Sequence, residues 1–294
     1  MKDSSPSHHF AAPPPTPVAE QIANLMRARS TLALTGAGVS TRSGLPDYRG
    51  TGGGSTPTVD IDMFRSEQYW RNWVWQRNHE TWQNLLEIKP NPAHFALAGL
   101  ESAGFLSGVA TQNIDGLHSQ AGSNHVWELH GTYQYVRCLQ CGLRLKRADY
   151  DLVLNELNPN WPAIAGDIAI LAVADSGAEE YAKASKFHPA PCPRCGGIVK
   201  PDIVMFGEGL PPAMDHAMAA ANKCDVILVV GTSLIVSTGA WIARQAWARG
   251  ADVVIINQGP TALDHIADIR CDEDATTLLP AVAQALGVTL PNEF

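Results

Sequence analysis

The sequence has no run of about twenty apolar residues, so it offers no helix able to cross a bilayer. It has no basic block either. Its 21 Lys and Arg stand against 29 Asp and Glu, a formal charge of −8. That balance argues against the broad grip on phosphate backbones used in general nucleic-acid binding, and it favours solubility. No direct nucleic-acid partner and no membrane association are therefore expected. The first 17 residues, MKDSSPSHHFAAPPPTP, lack the basic start and apolar centre of a secretory signal and the arginines of a transit peptide. They read as a flexible lead-in, and a cytoplasmic location is expected. Cysteine is scarce, with six residues, but four of them form two Cys-x-x-Cys pairs.

What is present is a rhythm. Residues 17–30 put Val18, Ile22, Leu25 and Met26 on one helical face, followed by an apolar strand from Thr31 to Thr35. Residues 62–88 read as helical and hold four of the eight tryptophans: Trp70, Trp73, Trp75 and Trp82. A helix is expected from Pro92, then strands in GFLSGVATQN and HVWELHG. After an irregular interval the alternation resumes. CDVILVVGTS and ADVVIINQGPT read as strands, TGAWIARQAWARG and DEDATTLLPAVAQALG as helices, the last ending at Gly287. Alternating strands and helices predict an α/β fold: a Rossmann-like, mostly parallel sheet with an inserted small zinc-binding domain. The expected division is 1–17 lead-in, 18–136 with 199–290 as the main body, and 137–198 as the small module, whose helical part draws on 50–90.

The strand Thr31–Thr35 runs into GAGVSTRSGLPDYRG. Gly36 and Gly38 leave the backbone bare, so it can approach a phosphate closely if a helical turn follows. The spacing departs from Gly-x-Gly-x-x-Gly, and an ordinary strand-to-helix turn explains it equally well. The cysteine pairs speak more clearly. Cys138 with Cys141 and Cys192 with Cys195 each let a short loop present two thiolates, and four thiolates satisfy tetrahedral Zn²⁺ with no open position for water. Such a metal is structural. Gly142 and Gly196 follow each pair and permit tight turns. A disulfide pair or an iron–sulfur site is the alternative. Cys224 and Cys271 lie outside this set and read as buried thiols.

GAGVSTRSGLPDYRG, TQNIDGLH, ELHGTYQYVRC, the two cysteine pairs, PDIVMFGE, GTSLIV and INQGPT occur in the order found in sirtuins, and the chain resembles that family over residues 30–275. NPAHFALA, LNPNW and GTSLIVSTG resemble its class II branch. The resemblance implies an NAD-binding domain and a module holding one structural Zn²⁺, with NAD and an acyl-lysine-bearing protein or peptide entering between them. It assigns Gly36, Ala37 and Gly38 to the phosphates. Asp47, Tyr48 and Arg49 fall at the mobile end of the cofactor loop, with Tyr48 where many relatives have Phe. Gln112, Asn113, Ile114 and Asp115 fall beside the nicotinamide and its ribose. Gly231, Thr232, Ser233, Asn257, Gly259, Cys271 and Asp272 fall on the adenosine side. His130 is implied as the catalytic base, with Asn113 as a second catalytic residue. Val204, Met205, Phe206, Gly207 and Glu208 are implied as the peptide-binding strand.

The implied reaction is NAD-dependent removal of acyl groups from lysine, giving nicotinamide and 2′-O-acyl-ADP-ribose. Transfer of ADP-ribose to a protein, or binding of NAD and acyl-peptide without catalysis, are the competing readings. The Trp-rich region reads first as packing, with Trp70, Trp73 and Val74 on one helical face and Trp75 to the side; an acyl channel is the alternative. Family members that prefer short acidic acyl groups carry a Tyr-x-x-Arg motif there. Here Tyr69 is followed three places on by Asn72, which argues against that preference.

Overall fold

The computed structural model describes residues 15–46, 59–159, 161 and 184–291. In chain order its helices are α1 (Pro17–Met26), α2 (Ile61–Ser66), α3 (Gln68–Leu85), α4 (Pro92–Ser102), α5 (Leu117–Gln120), α6 (Arg147–Leu157), α7 (Pro212–Ala221), α8 (Ser237–Ala248) and α9 (Ala275–Ala285). The strands are β1 (Thr31–Thr35), β2 (Val109–Thr111), β3 (Val126–Glu128), β4 (Gly131–Cys138), β5 (Arg144–Lys146), β6 (Val199–Ile203), β7 (Val226–Val230), β8 (Asp252–Ile256) and β9 (Ile269–Cys271). No helix among the described residues is long and apolar enough to cross a membrane.

Six strands form one parallel sheet in the order β3-β2-β1-β7-β8-β9. The central strands TLALT and VILVV are buried along their whole length, as strands covered on both faces must be. Alternate residues serve opposite cores. Val226, Leu228 and Val230 face Ile22, Leu97 and Val282 beneath α1, α4 and α9. Ile227 and Val229 face Met214, Ala217, Ile242 and Ala246 beneath α7 and α8. Local chemistry fixes the helix starts. Thr16 Oγ1 accepts from Ala19 N ahead of Pro17, and the Asn91 side chain and His94 form a reciprocal cap on α4. Asp274 caps α9, and Gly287 at φ +76° follows its last turn.

The second sheet, β5-β4-β6, is antiparallel, and its strand β4 begins at Gly131, separated from the end of β3 by two residues. It shares a core with α2, α3 and α6, built from Phe64, Trp73, Trp75, Val136, Tyr150, Leu154 and Phe187. Trp75, read from spacing as lying to the side, is fully buried and donates its Nε1–H to Val199 O at 2.9 Å. Trp82 packs instead with Ile114, Leu117 and Tyr133. The tryptophans of α3 thus join the small module to the parallel sheet. Strand β9, of three residues, is too short to carry a periodic signal.

A buried ion pair sits in the middle of this second core. Arg147 is fully buried, its Nη2 lies 3.3 Å from Asp151 Oδ1, and its guanidinium stands 5.3 Å from the Trp75 ring. Asp151 also meets His79 Nδ1 at 2.8 Å and accepts from Gln83 Nε2 at 2.7 Å. Removing the carboxylate strands a buried cation. Asp151→Ala should therefore cost about 3–5 kcal/mol in chemical denaturation, whereas Gln83→Ala, which leaves the pair intact, should cost far less.

Candidate active site

Strand order reverses between β1 and β7. From β1 the chain proceeds outward to β2 and β3, and from β7 to β8 and β9, so the crevice at the carboxyl ends of β1 and β7 is a topological switch point. Two glycine loops meet there. Gly36 N donates to Val230 O at 3.2 Å, and Gly38 N donates to Gly231 O at 2.8 Å. A Cβ on Gly38 would lie 2.8 Å from Gly231 O, and one on Gly231, at φ +60°, would lie 2.3 Å from Val39 N. Neither loop tolerates a side chain at the contact. Ala37 opens a 3-10 turn, Ala37–Val39, at the same edge.

The remaining switch-point residues line up along the edge. Thr232 Oγ1 accepts from Gln112 Nε2 at 2.9 Å, and Ser233 O accepts from Ala262 N. Asn257 Nδ2 donates to Gly259 O, and Gly259 N donates to Asp272 Oδ1, both at 2.8 Å. Cys271 is buried, and its part in this cluster is its carbonyl, which accepts from Asn257 N. Bare backbone, hydroxyls, an amide and a carboxylate along one sheet edge form a donor and acceptor set that fits a dinucleotide. Asp47, Tyr48 and Arg49 lie outside the described residues.

A buried polar cluster supports the loop from below. Asn113 Nδ2 donates to Ser40 Oγ at 3.0 Å, and that hydroxyl donates to Asp115 at 2.8 Å. Asp115 Oδ1 accepts from Leu117 N, and burial raises the pKa of its carboxyl. Ile114 turns the other way, into the core beside Trp82. Behind them the rings of His94 and His118 lie 4.9 Å apart. Burial pushes His118 down to about 4 and His94 well below its ordinary value, so both rings are neutral at pH 7. Ser40, His94 and His118 were not singled out in the sequence. Ser40 lies within the glycine motif, and the capping-box position of His94, three residues after Asn91, was the available signal for that histidine.

His130 stands where the sheets meet. Its Nδ1 lies 3.0 Å from Gln112 O, an atom that can only accept, so Nδ1 carries the hydrogen. In the neutral ring Nε2 then holds a lone pair, directed at Thr238 Oγ1 at 2.8 Å. Burial lowers the pKa of the ring, and the Gln112 carbonyl opposes part of that shift. The backbone carbonyl of His130 accepts from Val204 N at 2.8 Å, which fixes the segment after β6 against the histidine. Glu208 accepts from Met205 N at 2.8 Å and pairs with buried Lys200 at 2.9 Å, closing the loop around Gly207, at φ +83°. Met205 is buried, while Phe206 is 72 % exposed. On the β7–α8 loop Ile235 is likewise exposed, at 74 %.

Cys138, Cys141, Cys192 and Cys195 bring four Sγ atoms within 4.8 Å of one another. Cys138 and Cys195 are 3.6 Å apart and Cys141 and Cys192 3.7 Å, too far for S–S bonds. Gln140 N and Cys141 N point at Cys138 Sγ; the Cys141 amide first among these contacts draws the Cys138 thiol down to about 6. Gly142 and Gly196 take φ of +69° and +74° in the turns. A four-sulfur set of this size suits a closed tetrahedral metal site.

Fold and site together define a two-module α/β protein with its cleft at a sheet switch point. The Sir2 family profile matches residues 36–238. The chain is 39 % identical over 267 residues to "NAD-dependent protein deacetylase 1" of Mycobacterium avium, covering 90 % of this chain and 95 % of that one. It is 36 % identical over 284 residues to "NAD-dependent protein lipoamidase sirtuin-4, mitochondrial" of Bos taurus, covering 93 % and 89 %. A solved structure described as "Sir2-p53 peptide-NAD+" superposes with a TM-score of 0.70 at 31 % identity, covering 92 % of this chain and 98 % of that one. The chain belongs to the Sir2 family. Replacing one of the four sulfurs, Cys141→Ser, is expected to lower the metal content found by elemental analysis and to lower the melting temperature.

Proposed function

We propose that the protein removes acyl groups from lysine side chains in a reaction that consumes NAD and yields nicotinamide and 2′-O-acyl-ADP-ribose. The observation that carries this reading is His130: a neutral ring with its Nδ1–H fixed by Gln112 O and a lone pair on Nε2, at the junction of the two glycine loops and the Val204–Glu208 segment. Bound NAD supplies an electrophilic anomeric carbon with nicotinamide as its leaving group. The glycine loops cradle its phosphates. Thr232, Ser233, Asn257, Gly259 and Asp272 take the adenosine side. Gln112, Asn113, Ile114 and Asp115 surround the nicotinamide ribose. His130 Nε2 takes the proton from a ribose hydroxyl, activating it for acyl transfer. The four-cysteine site holds one Zn²⁺ and has no part in the chemistry.

The peptide lies as an extended strand between Val204–Glu208 and the Gly231–Val236 loop, reading little side-chain sequence. Relatives support that partner: solved structures at 30–31 % identity are described with a p53 peptide and with a propionylated peptide. At the position of the missing clamp arginine, Asn72 is buried and bonded to Gln68. That supports neutral over short acidic acyl groups. We place the chain in the class II branch on NPAHFALA, LNPNW and GTSLIVSTG.

Mass spectrometry with NAD and acetyl-, butyryl-, lipoyl- and myristoyl-lysine peptides tests the reading. Peptide deacylation with formation of acyl-ADP-ribose is expected. A mass gain on a protein without deacylation would instead identify ADP-ribosyl transfer, and binding without turnover a sensor. His130→Ala should lower deacylation at least about a hundredfold while zinc content stays the same. The base form exists above the His130 pKa and is lost as pH falls through it. Burial lowers that pKa from its ordinary 6.5, so the acid limb of kcat/KM should fall below pH 6.5.

A further inference from the structure

Helix α8 begins beside the proposed base. Thr238, its second residue, is buried, and its hydroxyl lies 2.8 Å from His130 Nε2. The next residue, Gly239, packs against the Gln112 side-chain amide: a Cβ there would lie 2.9 Å from it and would push that amide aside. Gln112 in turn holds the opposite ring nitrogen through its carbonyl. The ring is therefore gripped from both sides, by a carbonyl at Nδ1 and a hydroxyl at Nε2.

The two grips differ in kind. A carbonyl only accepts, so it fixes one tautomer. A hydroxyl donates and accepts. It donates to Nε2 while the ring is neutral, and by rotating it can accept from Nε2–H once the ring has taken a proton. The second state needs such help. The imidazolium would form in a half-buried place, next to the positive end of a twelve-residue helix, and both conditions oppose a cation.

We propose that Thr238 is a positioning residue for the acyl-transfer step: its hydroxyl aims Nε2 in the resting enzyme and receives the hydrogen bond of the imidazolium formed when His130 takes the ribose proton. As the ribose hydroxyl arrives, Thr238 turns its own O–H off the single Nε2 lone pair; the proton then moves from the ribose hydroxyl to Nε2, and no covalent bond to Thr238 is made or broken. The role rests on the deacylase reading above.

The test compares Thr238→Val, which keeps the shape, with Thr238→Ser, which keeps the hydroxyl. In the ligand-free protein, ¹⁵N imidazole spectra should show His130 with hydrogen on Nδ1 and a bonded Nε2. In Thr238→Val the Nε2 resonance should move towards that of an unbonded ring nitrogen, and in Thr238→Ser it should return. With NAD and an acyl-peptide, Thr238→Val should lower acyl-ADP-ribose formation about tenfold, the size of a lost hydrogen bond to a charged group. Nicotinamide release, which precedes the base, should fall no more than about twofold. Thr238→Ser should restore most of the loss. Equal losses in both steps, or wild-type rates and an unmoved Nε2 resonance in Thr238→Val, would overturn the inference. If Thr238→Val fails to fold, Thr238→Ala is judged by the same two readouts. Failure of the wild-type protein to release nicotinamide with any acyl-peptide would remove the deacylase reading itself, and this role with it; the spectra separate that case from an error confined to Thr238.

Discussion

The contact between Gly38 and Gly231 is the constraint on which the site depends. Two parallel strands end side by side, and their loops touch backbone to backbone, with Gly38 N bonded to Gly231 O at 2.8 Å. A side chain at either position would force the loops apart. β1 and β7 pair along their whole length, and the glycine contact carries that union past the strand ends, where Gln112 reaches across to Thr232. Gln112 then fixes His130. One glycine contact thus connects the proposed phosphate cradle to the proposed base through a single intermediate residue, whose side chain bonds Thr232 and whose backbone carbonyl holds His130.

The second module meets this edge through backbone. Strand β4 leaves β3 with only Leu129 and His130 between them, so the histidine sits in the hinge of the two sheets. Val204 N, just past the end of β6, bonds to the carbonyl of that same residue. The metal site lies at the far end of β4, with Cys138 as its last residue. Its cysteines hold the β4–β5 turn to the Cys192–Cys195 turn. This division keeps the cluster structural: it holds the strand that carries His130 and the strand that leads to Val204, while its sulfurs stay remote from the cleft. The Lys200–Glu208 pair fixes the Val204–Glu208 segment as the Gln112 carbonyl fixes His130.

Much of this was legible from residue order. Buried strands such as TLALT and VILVV declare themselves by unbroken apolar runs, and paired cysteines by spacing, because each is a local pattern. His130 was one histidine among ten until the surrounding motifs singled it out. Other parts were hidden because they are made by distant residues. Nothing local tells that Arg147 is buried against Asp151 and His79, or that α3 carries buried polar groups among its tryptophans. Nor does the segment VSTRSG announce that Ser40 will sit between Asn113 and Asp115, 73 and 75 residues further along the chain. Thr238 was visible only as a letter in GTSLIVSTG; its partner became known once α8 and β4 were brought together. Asp47, Tyr48 and Arg49 lie outside the described residues.

The central claim is that the touching glycine loops create the NAD site. Calorimetric titration of NAD into wild-type and Gly38→Ala proteins tests it most directly, with zinc content and cooperative unfolding measured on both. The account predicts a Gly38→Ala protein that keeps its zinc and unfolds cooperatively yet binds NAD at least about tenfold more weakly. A Gly38→Ala protein that binds NAD as tightly as the wild type would contradict it.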